Sequence, residues 1–164
     1  MLQDLLTESL TLIICGTAAG ERSAKFQNYY AQPGNKFWRT LYEVRLTSRL
    51  LFPIEYRELL KEKIGLTDLV KGKSGMDKNL KVSDFGDREL SDKIRMYRPK
   101  ILCFNGKRAA QLFLIERSRI NYGLQTEIIG QTRIYVAPST SGAASRWWDI
   151  KYWEELSKLV EIFR

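Results

Sequence analysis

The residues best suited to bind a ligand lie between Leu12 and Trp38. The apolar run LIICG predicts a strand that ends at Gly16, and Gly16 and Gly20 bracket a turn whose backbone N–H groups can face a ligand. Aromatic faces, carboxamides and cations together are what a pocket for a flat heterocycle on a polyanion needs. All three kinds of group follow the turn. The aromatic residues are Tyr29, Tyr30, Phe37 and Trp38, the carboxamides are Gln32 and Asn35, and the cations are Lys25 and Lys36.

A mononucleotide-binding loop is the rival interpretation of the same turn. The spacing G-x-x-x-G occurs in many strand-to-helix turns, so the two glycines alone are weak support for it. The long aromatic continuation favours a pocket for a nucleobase.

The lack of histidine and the low cysteine count exclude several kinds of catalytic centre. Cys15 and Cys103 each lie in an apolar run, which favours small buried side chains in neighbouring strands. Two cysteines without histidine cannot build a four-thiolate iron–sulfur centre or a usual zinc site. We therefore expect no metal and no cofactor. Any catalysis must use carboxylate, carboxamide, hydroxyl or backbone groups.

The net charge favours a polyanionic partner. The 164 residues include 27 lysines and arginines against 19 aspartates and glutamates, a formal charge of +8. These cations are spread along the chain, which suits a groove on a folded surface. The length fits one domain, residues 1–164, with a full core. We see neither a membrane-spanning run nor a signal sequence, so we expect an intracellular, cytoplasmic protein that does not contact a membrane.

Strands alternate with helices in the first half of the chain. A helix should open at Pro53, where a first helical turn tolerates proline, and end before Gly65. The loop VKGKSGMDKNLKVSDFGD is polar and glycine-rich, so we expect it to be exposed and mobile. The other predicted elements are an amphipathic helix at Leu2–Ser9, strands at Thr11–Cys15 and Ile64–Val70, and a helix from about Asn35 that turns Phe37, Trp38, Leu41 and Tyr42 inward.

The second half repeats this alternation. Asp87 can cap a helix whose Leu90, Ile94 and Tyr97 share one face before Pro99. Further strands are predicted at Ile101–Phe104 and Arg133–Val136, with helices in GKRAAQLFL and from Ile150 to Phe163. Such alternation predicts an α/β fold, a three-layer α/β/α sandwich around a mostly parallel sheet. Ligands of such sheets bind beyond the carboxyl ends of the strands, where the loops after Cys15, Thr67 and Val136 can converge.

Six segments in order resemble the mismatch-specific uracil/thymine-DNA glycosylases. They are GTAAG, YYAQPGNKFW, GLTDLV, FNGKRAA, YGLQ and PSTSGAASRWW, and they span nearly the whole chain. The resemblance implies the uracil-DNA glycosylase fold and hydrolysis of the N-glycosidic bond of a base flipped out of DNA. It also implies a monomer associated with the nucleoid of a prokaryotic cell, with uracil as the first candidate base and hypoxanthine as the second.

Carried over position by position, the resemblance implies a base pocket and a DNA-contacting loop. The pocket would be formed by Gly16, Thr17, Ala18 and Ser139, with Tyr30 stacked on the base and Asn35 facing it. The loop from Ser139 to Arg146 would enter the DNA, with Ser141, Gly142, Ala143 and Arg146 as contacts, and Lys107 would contact a phosphate. The tip Gly142-Ala143-Ala144 is smaller than the apolar wedge usual in such loops.

One position departs from the family pattern. The first motif usually places an asparagine two residues after the first glycine, where it positions the attacking water, but this chain has Ala18. Asp68 and Asn35 are the two candidates to replace it. Asp68 is a carboxylate, which can accept a proton from water. Asn35 matches an asparagine on which a related branch acting on deaminated purines relies. Ordinary alternatives are a strand-end aspartate bonded to loop amides and a helix-capping asparagine. A protein that binds damaged DNA without cutting it is the remaining interpretation.

Overall fold

A computed structural model describes residues 2–71, 87–114 and 118–164. The described part contains five strands, five α-helices and two 3₁₀ helices. The strands are β1 (Leu12–Ala18), β2 (Ile64–Val70), β3 (Ile101–Asn105), β4 (Gly123–Ile129) and β5 (Thr132–Ala137). The α-helices are α1 (Glu21–Phe26), α2 (Phe37–Glu43), α3 (Asp87–Tyr97), α4 (Lys107–Phe113) and α5 (Ile150–Phe163), and the 3₁₀ helices are Pro53–Glu62 and Gly142–Trp147.

The strands form one sheet in the order β2-β1-β3-β5-β4. The first four run parallel, and β4 pairs antiparallel with β5 at one edge. Strands β1, β2 and β3 are buried along almost their whole length, as expected for a parallel sheet covered on both faces. The predicted mostly parallel α/β/α sandwich is confirmed.

Each face of the sheet carries its own core. On one face, Ile14, Leu66 and Cys103 pack under α2, the 3₁₀ helix Pro53–Glu62 and α5. On the other, Ile13, Cys15 and Phe104 pack under α3 and α4. Successive side chains of a strand point to opposite faces, so each strand supplies both cores in turn.

The predicted helix at Leu2–Ser9 is wrong. This segment is extended, and Leu5 forms an antiparallel bridge with Leu66 through two backbone hydrogen bonds of 2.9 Å. Leu2 and Leu5 are buried against β2, and a Cβ atom on Gly65 would lie 2.6 Å from the Leu5 carbonyl oxygen. Pairing with an otherwise open sheet edge therefore outweighs the helical spacing of the leucines.

Several element boundaries also differ from the prediction. Strand β1 continues through Gly16 to Ala18, so the turn begins later than expected. Helix α1 and strand β4 were missed, and Pro53–Glu62 is a 3₁₀ helix. Tyr42 is 46% exposed, whereas Phe37, Trp38 and Leu41 of the same helix are buried as predicted. The predicted mobile loop falls mainly on residues 72–86, outside the described residues.

Candidate functional site

Polar side chains continue one face of the sheet at the carboxyl ends of the parallel strands. Gly16 follows Ile14 by two residues, Asp68 follows Leu66, and Asn105 follows Cys103, so all three lie on the face covered by α2 and α5. Gly16 pairs with Asp68 on β2, and Asn105 pairs with Ala137 on β5. The sheet therefore changes from apolar to polar within one row of residues, at the edge where such folds bind ligands.

Tyr30 lies over this row. A Cβ atom added to Gly16 would lie 2.9 Å from Asp68 Oδ1 and 3.2 Å from Tyr30 Oη, so only glycine leaves room there. The Tyr30 ring stacks on Phe37 with centroids 3.8 Å apart. We call Gly16, Tyr30, Asp68 and Asn105 the polar floor. Three of its members were predicted from the sequence, and Asn105 was not.

Asp68 is the buried carboxylate of the polar floor, with 6% of its surface exposed. Burial raises the pKa of Asp68 to about 6, although the Lys71 ammonium 3.5 Å from Oδ2 opposes that shift. The nearby Asp4 carboxylate adds to the rise. A carboxylate with this pKa can hold or release a proton near neutral pH, which suits a general base.

Lys71 belongs to a partly buried ionic network that the sequence did not reveal. Its Nζ lies 2.6 Å from Asp4 Oδ1 and 3.2 Å from the Tyr29 hydroxyl. Lys93 Nζ lies 2.7 Å from Asp4 Oδ2, and the Thr67 hydroxyl donates to Asp4 at 2.7 Å. Burial raises the pKa of Asp4, but the two ammonium groups outweigh that effect and hold it below its usual value. The extended N-terminal segment thus supplies a carboxylate beside the site.

Asn35 lies immediately before Lys36, the N-cap residue of helix α2. Asn35 Oδ1 accepts a hydrogen bond from the Phe37 backbone N–H at 3.0 Å, and the Asn35 side chain is half-buried. The following residue anchors the segment, because the Lys36 backbone N–H donates to the Thr140 carbonyl at 2.8 Å. The N-cap position, predicted at Asn35, thus falls on Lys36, and Asn35 binds the first helical N–H from one residue earlier. Its proposed role in positioning water remains a prediction.

Asn105 and Thr140 join the polar floor to the loop after β5. Asn105 Nδ2 donates to Thr140 Oγ1, and the Thr140 backbone N–H donates back to Asn105 Oδ1, both at 3.0 Å. Gly106 adopts φ +110°, and a Cβ atom there would lie 3.1 Å from Ser139 Cβ. The half-buried Ser139 is therefore held close to the floor, in the region predicted for it. Thr17, also predicted here, is buried, and Ala18 is half-buried.

The loop predicted to contact DNA forms a 3₁₀ helix over Gly142–Trp147. Ser141 caps this helix by accepting a hydrogen bond from the Ala143 N–H. Gly142, Ala143 and Arg146 are exposed, as is 59% of Trp147, which the Arg146 guanidinium approaches to 5.6 Å. Lys36 Nζ reaches Ser145 Oγ at 2.8 Å, so the loop is fixed to the segment that carries Asn35.

Lys107 follows the polar floor in the chain, and its side chain contacts Tyr122. It begins α4, and its ammonium lies 4.4 Å from the centroid of the Tyr122 ring. Its side chain is half-buried, so a phosphate contact would have to compete with this cation–π interaction.

Neither a metal-binding cluster nor a membrane span occurs among the described residues. No three histidine, cysteine, aspartate or glutamate side chains there are close enough to hold a metal ion. None of the described helices is long and apolar enough to cross a membrane.

The comparisons with known proteins agree with this architecture. The chain is similar to a Methanosarcina acetivorans protein whose solution NMR structure is titled a "putative Uracil DNA glycosylase". The two share 25% sequence identity with a TM-score of 0.69, over 98% of this chain and 96% of that one. The family model described as uracil DNA glycosylase superfamily matches residues 4–157, which include the whole polar floor and the loop after β5. The chain belongs to the uracil DNA glycosylase superfamily.

Proposed function

We propose that this protein is a monofunctional DNA glycosylase that removes uracil from DNA, with hypoxanthine as the second candidate base. The observation that carries the proposal is the buried Asp68 carboxylate, whose Oδ1 faces Gly16 and Tyr30 at the carboxyl end of the parallel sheet. The six ordered motifs favour the mismatch-specific branch of the superfamily.

The proposed reaction is dissociative. The base is extruded into the site, and the C1′–N bond breaks as negative charge moves onto the base. Backbone amides at the end of β1 and in the loop after β5 stabilise that charge, because the chain has no histidine to act as an acid. Asp68 stabilises the cationic sugar and accepts a proton from the attacking water.

A covalent sugar–lysine intermediate is not part of this mechanism. Among the described residues, Lys71 is a lysine paired with Asp68, and its ammonium is held by Asp4, the Tyr29 hydroxyl and the Leu2 carbonyl oxygen. An ammonium with three such partners is a poor nucleophile. We therefore propose cleavage of the glycosidic bond without cleavage of the DNA strand.

The test uses labelled oligonucleotides with one uracil or one hypoxanthine, as single strands and opposite each normal base. Wild-type protein should yield strand breaks at the modified position only after heating in alkali. Breaks without alkali, or protein trapped on DNA by borohydride, would contradict the monofunctional mechanism.

The second candidate function is binding of damaged DNA without cutting, motivated by Ala18 in place of the usual asparagine. It predicts a stable complex with uracil-containing DNA and no alkali-labile sites under single-turnover conditions. Cleavage at uracil would eliminate it.

A further inference from the structure

The Tyr30 hydroxyl is the unusual polar group of this site. Tyr30 Oη is buried and makes no hydrogen bond of normal length to any described residue, although the Asn105 side chain lies near enough to lower its pKa. Two other tyrosine hydroxyls in the core are paired: Tyr29 donates to the Gln3 carbonyl at 2.9 Å, and Tyr135 donates to the Tyr152 carbonyl at 2.6 Å. A buried hydroxyl without a partner destabilises a protein, so its presence points to a bound group that completes it.

The backbone of Tyr30 is also held in an unfavourable conformation. Its φ is +53°, in the left-handed region that tyrosine rarely adopts. The stack on Phe37 and the hydrogen bond from Trp38 Nε1 to the Tyr29 carbonyl keep it there. The surrounding structure thus holds the Tyr30 hydroxyl close to Gly16. Backbone strain of this kind is common at functional sites.

Asp68 and Tyr30 present oxygen atoms to the same small space. Both oxygens lie within 3.2 Å of the position that a Gly16 Cβ would occupy, so they are no more than about 6 Å apart. One water molecule donates to two oxygens when they are about 4.5 to 5 Å apart, a separation that lies within this limit. The other oxygen of Asp68 faces Lys71, so Oδ1 is the one available to a ligand.

We propose that Tyr30 is a catalytic residue whose hydroxyl, together with Asp68 Oδ1, binds the attacking water. This inference rests on the proposed glycosylase function. Burial and the neighbouring Asp68 charge raise the pKa of Tyr30 well above its usual value, so the group remains a neutral hydroxyl. It can accept one hydrogen bond from the water while Asp68 accepts the other.

The step balances as a hydrolysis. The water oxygen bonds to C1′, and the electron pair of the breaking C1′–N bond leaves with the base. The proton of the water passes to the Asp68 carboxylate, and the departed base takes up a proton from solvent. Tyr30 exchanges no proton, since its part is to orient the water.

Tyr30→Phe is the decisive variant, because it removes the hydroxyl and retains the ring that stacks on Phe37. On a duplex with one G·U pair, we expect the single-turnover rate to fall at least tenfold. The Kd for the same DNA should change less than twofold, and Tm should stay the same or rise because an unpaired buried hydroxyl is lost. If Tyr30 acts only by stacking on the base, Tyr30→Phe should instead keep most of the rate.

Tyr135→Phe is the matched control. It removes a buried, hydrogen-bonded tyrosine hydroxyl outside the site, so Tm should fall while the rate stays within twofold of wild type. A Tyr30→Phe rate within twofold of wild type would overturn the inference and leave the proposed function intact. Wild-type protein that cuts none of the modified bases would overturn both.

Discussion

Lys71 Nζ lies 3.5 Å from Asp68 Oδ2 but only 2.6 Å from Asp4 Oδ1. The lysine therefore pairs more closely with Asp4 than with the buried carboxylate of the site. Because Asp68 has only a shared counterion, burial dominates and its pKa rises to about 6. The N-terminal segment thereby takes part in setting the protonation state of Asp68.

The first prediction is a pH-dependent rate. If Asp68 accepts the proton of the attacking water, the single-turnover rate should rise with pH and reach half of its plateau near pH 6. Below that pH Asp68 is protonated and cannot act as a base. Rates from pH 5 to 8 on a uracil-containing duplex would measure this, and Asp68→Asn should remove the inflection. An inflection that persists in Asp68→Asn belongs to another group.

The second prediction concerns the groups that face Asp68, namely Lys71, Asp4 and Lys93. Asp4→Asn removes a negative charge and frees Lys71 for Asp68, so the inflection of the pH–rate profile should move to lower pH. Lys71→Met should move it to higher pH. Asp4→Asn should also lower the free energy of unfolding by about 2 kcal/mol, less than the ~3–5 kcal/mol typical of a fully buried pair. The control is Glu43→Gln, which breaks an exposed pair with Arg39 and should leave the profile unchanged.

The third prediction distinguishes the role of Asp68 in the reaction from that of Asn35. Asp68→Asn should lower the single-turnover rate about a hundredfold. The raised pKa means that stability falls as pH rises from 3.8 to about 6, so this variant should melt at the same or a higher temperature than wild type at pH 8.

Asn35→Ala should slow the reaction and also lose about 1 kcal/mol of stability, because its Oδ1 accepts a hydrogen bond from the first N–H of α2. Rate and Tm measured together distinguish the two effects. A wild-type rate in Asp68→Ala with an inactive Asn35→Ala would assign the water to Asn35.

The fourth prediction assigns a DNA contact to Trp147. The loop tip is made of glycine and alanine, whereas Trp147 exposes 59% of its surface beside Arg146. Stacking of its indole on a base predicts that Trp147→Ala loses roughly 1–3 kcal/mol of binding free energy for uracil-containing DNA. Fluorescence anisotropy measures this. Tyr42→Ala is the control, since this half-exposed aromatic lines a cleft with Arg164 and Glu62, next to the start of β2 at the opposite end of the sheet. Equal affinities for both variants would remove Trp147 from the contact surface.

The fifth prediction concerns salt. If Arg146 contacts a phosphate, Arg146→Ala should reduce the slope of log K against log salt by about one, the value for one lost phosphate contact. Lys107→Ala should reduce it less, because the Lys107 ammonium is engaged with Tyr122. Titrations between 50 and 200 mM salt, a range over which such contacts change affinity strongly, would check both slopes. Unchanged slopes in both variants would show that neither residue contacts a phosphate.

Elements with a strong local pattern could be predicted from the sequence. Strand Ile64–Val70 and helix Ile150–Phe163 have the predicted bounds, because the strand is a short apolar run buried on both faces and the helix has one apolar face. The segment Leu2–Ser9 failed because its structure depends on pairing with Leu66, about 60 residues away.

The residues of the site can likewise be divided into those that the sequence could predict and those that it could not. Gly16 and Asp68 could be placed together because both lie near the carboxyl ends of strands at the same edge of the sheet. Asn105 could have been found, since it continues the alternation of Leu102, Cys103 and Phe104 onto the face that carries Asp68. The partnership of Asp4 with Lys71 and Lys93 had no signal in the sequence, because it arises from a segment that folds back across the sheet edge.

The reactivity of the two buried cysteines can report how often the two cores of the protein open. Cys15 and Cys103 are fully buried in adjacent strands, and burial raises the pKa of both thiols, so little thiolate is available to a reagent. Cys15 lies under α3 and α4 and Cys103 under α2 and α5, so a thiol-reactive dye can reach them only when these helices move away from the sheet. The labelling rate of the unaltered chain therefore measures how often the faces of the sheet become uncovered, and DNA that stabilises the closed form should slow it.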